Sequence, residues 1–145
     1  MTNFDEYQKF LRYKHGHHAF LITMLLMITS FIIGFSSDFQ WAETKELESI
    51  IFMFVGIIYS VALNTYHGAY FDKKQNPKKY ALIFFLLGIM NLYLSFLSSD
   101  SLIVDERVSS NSIMAFSAVL WLSIPAAYLL RKFVDKKREA EDYDA

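Results

Sequence analysis

The sequence predicts an all-α integral membrane protein: a four-helix bundle running up-down-up-down, with a short amphipathic helix at the amino terminus lying on the membrane interface. Three observations predict it. Of 145 residues, 54% are hydrophobic and 17% aromatic, and the mean hydropathy of +0.24 is high for a compact unit whose whole surface must face water. Four windows of 20 or more residues, 15–37, 49–71, 80–99 and 108–130, contain no Asp, Glu, Lys or Arg. The charges between them are sorted by sign, so the net charge of −1 conceals a strong pattern.

The single domain 1–145 divides as follows. Residues 2–14 fit an amphipathic helix: Asn3 can cap with Glu6 three residues on, and Phe4, Tyr7, Phe10 and Leu11 share a face opposite Asp5, Gln8, Lys9 and Arg12. This segment is expected on the membrane surface. The first span follows at about 18–37, its apolar block from Ala19 to Phe35 being longer than the roughly 7 to 15 residues of a signal-peptide core. A short acidic loop with Asp38, Glu43, Glu46 and Glu48 precedes the second span at about 49–70, and Trp41 in that loop suits an interface.

The turn Asp72-Lys73-Lys74-Gln75-Asn76-Pro77-Lys78-Lys79 is basic, and Asn76-Pro77 reads as a helix restart, because asparagine caps and proline fits the first helical position. The third span occupies about 79–98. After an acidic loop containing Asp100, Asp105, Glu106 and Arg107 comes the fourth span, at about 109–130. The tail 131–145 is basic first and acidic last, and its end is expected to be disordered. A soluble bundle would show a polar face recurring every three or four residues, which the four windows do not.

Orientation comes from the basic residues. Three precede the first span, four lie in the Lys73–Lys79 turn and five in the tail, against one in each of the other two loops. The positive-inside rule then places both termini and the lysine turn in the cytoplasm, and Tyr13, Tyr66, Tyr70, Tyr80 and Tyr128 form an aromatic belt at that boundary.

The candidate functional residues are small or polar groups inside the spans. Gly56, Ser60, Asn64 and Gly68 recur every fourth position on the second span, while Ala81, Gly88, Asn91 and Ser95 mark a face of the third. Small residues let helices approach and Ser or Asn can bond across them, so these stripes are read as packing faces. An antiparallel hairpin of spans two and three would bring Ser60 to Asn91 and Gly56 to Ser95. The same groups could instead line a polar path for a solute. Pro125 predicts a kink in the fourth span, and Trp121 a core position.

His15, His18 and His67 are the candidate metal or haem ligands, set against the plainer reading of interfacial histidines, which is adopted here because no ligand-pair motif accompanies them. The absence of cysteine removes thiol chemistry. No acid lies inside any predicted span, whereas ion-coupled carriers place one there. The expectation is a non-enzymatic protein without a cofactor, metal or nucleic-acid partner, surrounded by lipid and acting as an accessory or regulatory partner through helix contacts, with another membrane protein or with its own copies. The alternative is a subunit of a small oligomeric transporter or channel.

Through Asp5-Glu6-Tyr7, Arg12-Tyr13-Lys14, Ala19-Phe20, Asn64, Gly68 and the lysine turn, the chain resembles small four-span proteins of low-GC Gram-positive bacteria classified as domains of unknown function. The resemblance covers spans one to three. It implies a bacterial plasma membrane and carries over no active residue.

Overall fold

The computed structural model describes residues 4–37, 39–97 and 101–143. Asn3, Asp38, Ser98 and Asp100, to which the sequence assigns a cap, a loop acid, a span end and a second loop acid, lie outside the described residues. Four helices carry the fold: α1 (Glu6–Ser36), α2 (Lys45–Tyr66), α3 (Pro77–Leu97) and α4 (Ser112–Tyr143), with two short strands, β1 (Ile103–Val104) and β2 (Arg107–Val108), before α4. All four helices are long and apolar enough to cross a membrane.

The expected interfacial helix is not a separate element. Asp5 caps α1 through a reciprocal box, its Oδ1 accepting from Gln8 N at 2.7 Å while Gln8 Oε1 accepts from Asp5 N at 3.2 Å. From there α1 runs unbroken for 31 residues, about 46 Å. Neither proline nor a capping residue interrupts it between Lys14 and Ala19, and Gly16 alone does not stop a helix held by a neighbour along its length.

The carboxyl-terminal tail also departs from expectation. Helix α4 continues to Tyr143, supported by Arg131–Asp135 at 3.5 Å and Lys137–Glu141 at 3.8 Å, each one helical turn apart. Pro125 sits within α4 without ending it.

Helix α2 starts four residues earlier than the charge-free window, because Thr44 Oγ1 accepts from Leu47 N at 3.1 Å and Glu46 and Glu48 complement the dipole of the first turn. It stops at Gly68, whose φ of +72° allows Ala69 N to reach Asn64 O at 2.7 Å and Gly68 N to reach Thr65 O at 3.1 Å. These paired bonds close the helix in a Schellman motif. Helix α3 begins with Pro77, and Asn76 Oδ1 accepts from Lys78 N and Lys79 N at 3.1 and 3.3 Å.

The helices form a row in the order α1, α2, α4, α3 rather than neighbouring in chain order. Along α1 and α2 the contacts pair His15 with Asn64 and Ser30 with Glu48, so the two run antiparallel. Helix α4 lies beside α2 in the same direction, joining Phe54 to Phe116 (ring centroids 6.2 Å apart) and Gly68 to Arg131. On its other side α4 receives α3 through stacked Phe84 and Trp121 rings, 5.4 Å apart and 9° from parallel, and through Gly88 against Leu122. Ala81, Gly88 and Ser95, seven apart, are the buried positions of α3.

The end opposite the lysine turn is stitched together by backbone. β1 and β2 form a two-residue hairpin in which Asp105 and Glu106 both take positive φ, 49° and 62°, as a type I′ turn requires. Val108 extends the pairing to the α1–α2 loop: Glu43 N bonds Val108 O at 2.8 Å and Val108 N bonds Trp41 O at 2.9 Å. Glu43 Oε2 accepts from Ser110 N and Oγ at 2.9 and 2.7 Å, which holds the Glu43 carboxyl below the usual carboxylate range. Beneath this cap Ala42, Leu47 and Ile51 form a core with Trp41, Val108, Ile113 and Phe116. We call this the hairpin end and the other the basic end.

Candidate functional site

The seam between α1 and α2 collects the polar groups of both helices. On α2, Glu48, Phe52, Gly56, Ser60 and Asn64 follow at four-residue intervals and drift slowly round one face. The facing residues of α1 are Gly34, Ser30, Thr23, Ala19 and His15, taken in the opposite direction.

At the basic end His15 and Asn64 are both buried, with 5% and 7% exposure. Asn64 Nδ2 donates to Ser60 Oγ at 3.2 Å, which leaves Asn64 Oδ1 to accept from His15 Nδ1–H at 2.9 Å. The His67 ring lies 5.1 Å from that of His15, and its own Nδ1–H donates to Leu63 O at 2.9 Å. His18 turns elsewhere, its Nδ1 lying 3.4 Å from Tyr59 Oη. The three histidines therefore do not converge, and among the described residues no three His, Asp or Glu side chains are placed to hold a metal ion.

Gly68 closes this end. Its carbonyl accepts from Gln8 Nε2 at 2.8 Å, and the Arg131 guanidinium of α4 occupies the space a Cβ would need. The sequence groups Gly68 with the packing stripe. The structure gives it a second duty as the left-handed residue that ends α2 and brings α1, α2 and α4 together.

Midway along the seam Gly56 lets α1 approach: a Cβ there would overlap Thr23 Oγ1 and come within 3.1 Å of Ala19 O. At the hairpin end stands a group the sequence assigns to a loop. Glu48 lies in the first turns of α2, is 3% exposed, and accepts from Ser30 Oγ at 2.8 Å through Oε2. Lys45 Nζ is 4.0 Å from that oxygen, beyond hydrogen-bond range, and Oε1 is sealed from solvent with no donor among the described residues. The expectation that Glu48 belongs to the acidic loop before the second span is thereby corrected, because a charge beside a loop reads as loop until the cap fixes where the helix begins. The signal was present: Glu48 continues the four-residue stripe of Gly56, Ser60 and Asn64.

The pairings expected between spans two and three are not made. α4 separates the two helices, so Ser60 serves Asn64 on its own helix and Asn91 Nδ2 donates to Leu87 O at 2.9 Å. Gly56 faces α1 and Gly88 faces α4. Both stripes admit a neighbour closely, and the neighbour is a different helix from the one the short connection suggests.

Two ionisable side chains thus stand buried at opposite ends of the seam, Glu48 and His15, with Thr23 and Ser60 hydroxyls at intermediate depths. Sixteen residues of α2 separate Glu48 from Asn64, about 24 Å. A cavity of about 680 Å³ opens beside Glu48 and another of about 360 Å³ beside Gly56 and Ser60. Protein-family models, curated proteins and solved structures were compared with the chain, and none matches.

Proposed function

We propose that this chain is a multi-pass protein of a bacterial plasma membrane, with four spans running up-down-up-down and both termini and the lysine turn in the cytoplasm. It catalyses no reaction and acts as an accessory or regulatory partner through contacts of its helices with another membrane protein. The open row carries this reading. Among the described residues α1 packs chiefly on α2, and its exposed surface includes Phe20, Leu25, Phe31 and Phe35, from 60% to 87% exposed. In lipid, helices associate by packing rather than by escaping water, so a row that has not closed on itself leaves packing surface for a partner helix.

The test is photo-crosslinking from Phe20 and Phe31, replaced singly by a photoreactive residue, in native membranes. Recovery of one heterologous membrane protein is expected. Capture of lipid alone would overturn the proposal.

A second reading, a subunit of a small oligomeric transporter or channel, is favoured by one observation: the buried Glu48 and His15 in one interhelical seam, since ionisable groups at membrane depth mark ion or solute routes. Crosslinking of the chain to its own copies, together with solute flux in liposomes that is lost in Glu48→Gln, would decide for it.

A further inference from the structure

We propose that the groove between α3 and α4 at the basic end is a binding site for an acidic phospholipid, whose phosphate meets Lys78 and Lys79 and whose acyl chain lies along the groove. The site rests on the reading of the helices as membrane spans and needs no partner protein.

The first observation is the groove itself. It has a volume of about 530 Å³, with Ala81, Leu82 and Phe85 of α3 on one side and Pro125, Tyr128 and Leu129 of α4 on the other. That volume falls within the range of roughly 300 to 1,000 Å³ typical of small-molecule sites. The buried Ala81 and Pro125 make its floor, while Leu82, Phe85 and Leu129, from 45% to 63% exposed, are its open walls. From Lys78 to Phe85 α3 rises about 10 Å, which is room for the first part of an acyl chain.

The second observation is charge at one end of the groove. Lys78 and Lys79 line it, both are exposed, and no carboxylate lines it with them. Among the described residues neither ammonium forms an ion pair, whereas Lys73 of the same turn lies 3.6 Å from Asp5. A third cation stands close, the Lys132 ammonium 5.3 Å from the centre of the Tyr128 ring. The backbone N–H groups of Lys78 and Lys79 already bond Asn76 Oδ1, so the ammonium groups, and not the helix end, are what an anion meets.

Charge and shape together select the occupant. An apolar channel with two free ammonium groups at its end suits an amphiphile whose head is an anion. A zwitterionic phospholipid brings its own cation to the same place and gains less. The groove is open along its length, so a lipid enters sideways from the bilayer and leaves its second chain against the exposed Leu82 and Leu129. In the proposed orientation this end lies at the cytoplasmic leaflet, where basic pockets between helices recognise acidic headgroups.

The experiment uses the full chain in neutral maltoside micelles, with dioleoyl phosphatidylglycerol as probe and dioleoyl phosphatidylethanolamine and oleate as competitors, and counts bound lipid by native mass spectrometry. Preferential retention of one phosphatidylglycerol is expected, each lysine contributing about fivefold. Lys78→Gln with Lys79→Gln should lower retention tenfold or more. Lys136→Gln with Lys137→Gln makes the same change of charge on α4 outside the groove and should leave retention as it is. Equal retention of the two phospholipids, the same retention in both double variants, or oleate binding more tightly than phosphatidylglycerol overturns the proposal. Should the Lys78 and Lys79 variant fail to fold, Leu82→Ala with Leu129→Ala truncates two exposed walls; retention should fall several-fold, and unchanged retention overturns the site. Alkaline carbonate separates this proposal from the reading beneath it. A chain that resists extraction from membranes but shows no lipid preference overturns the site alone, and a chain that is extracted overturns the membrane reading and the site with it.

Discussion

His15 on α1 and Asn64 on α2 share a hydrogen bond of 2.9 Å between two buried side chains. Asn64→Leu removes the acceptor and leaves the imidazole Nδ1–H without a partner. Membrane precedent puts the loss at about 1 kcal/mol, less than the same deletion in a soluble core, because the unfolded reference in lipid also finds partners. Thermal unfolding in detergent should show Asn64→Leu melting earlier than Ser60→Ala. Equal melting temperatures for wild type and Asn64→Leu would show that the bond contributes nothing.

Gly68 should tolerate asparagine better than alanine. The φ of +72° costs an alanine about 1 kcal/mol, and asparagine takes the left-handed region more readily. Both side chains displace the Arg131 guanidinium, whose flexible end can move, so the backbone term decides the order. Unfolding of Gly68→Ala and Gly68→Asn side by side tests this, and an alanine variant as stable as wild type would refute the assignment.

The helix order is open to a direct chemical test, since the chain has no cysteine. A Cβ at Gly88 would lie 2.6 Å from Leu122 Cγ, so the pair Gly88→Cys with Leu122→Cys should crosslink under mild oxidation. Ser60→Cys with Asn91→Cys should not, because α4 stands between them. The reverse result would restore the α2–α3 hairpin and remove the row.

At the hairpin end, Glu43 ties its loop to Ser110 by two hydrogen bonds that favour the ionised carboxylate. Its folded pKa is lowered from 4.5, so the stabilisation is complete above that value and is lost as pH falls through the lowered one. The protection factor of Val108 N–H, which bonds Trp41 O, should fall on acidification below pH 4.5 once exchange is corrected for its intrinsic slowing in acid. Glu43→Gln should show the lowered protection at neutral pH already. Protection unchanged by both would place the stability of the cap elsewhere.

How far the sequence discloses this molecule depends on which physical signal each feature leaves. Four charge-free windows are a consequence of length and solvent, and the four long helices follow from them. Asn76-Pro77 starts a helix because both residues act locally. Neighbour order leaves no such trace: α3 is apolar around its circumference, and a small-residue face such as Gly88 and Ser95 fits whichever helix reaches it. At the amino terminus the expected cap is Asn3 with Glu6, whereas the box that starts α1 is Asp5 with Gln8, which has the same three-residue spacing. The hairpin at Asp105-Glu106 lacks the glycine that normally announces a positive-φ pair, its shape being held instead by Val108 pairing with the Trp41 loop. Glu48 was hidden by its nearness to other acids, although it keeps step with Asn64.

The unbroken length of α1 has a mechanical consequence. Unbroken between the Gln8 latch on Gly68 and the Ser30 contact with Glu48, the helix forms a continuous rod whose main neighbour among the described residues is α2. A pull on its amino-terminal turn would be passed along the helix to the close approach of Gly56 and Thr23. Continuity of the backbone thus joins the lysine-turn side to the Ser30–Glu48 contact within one element.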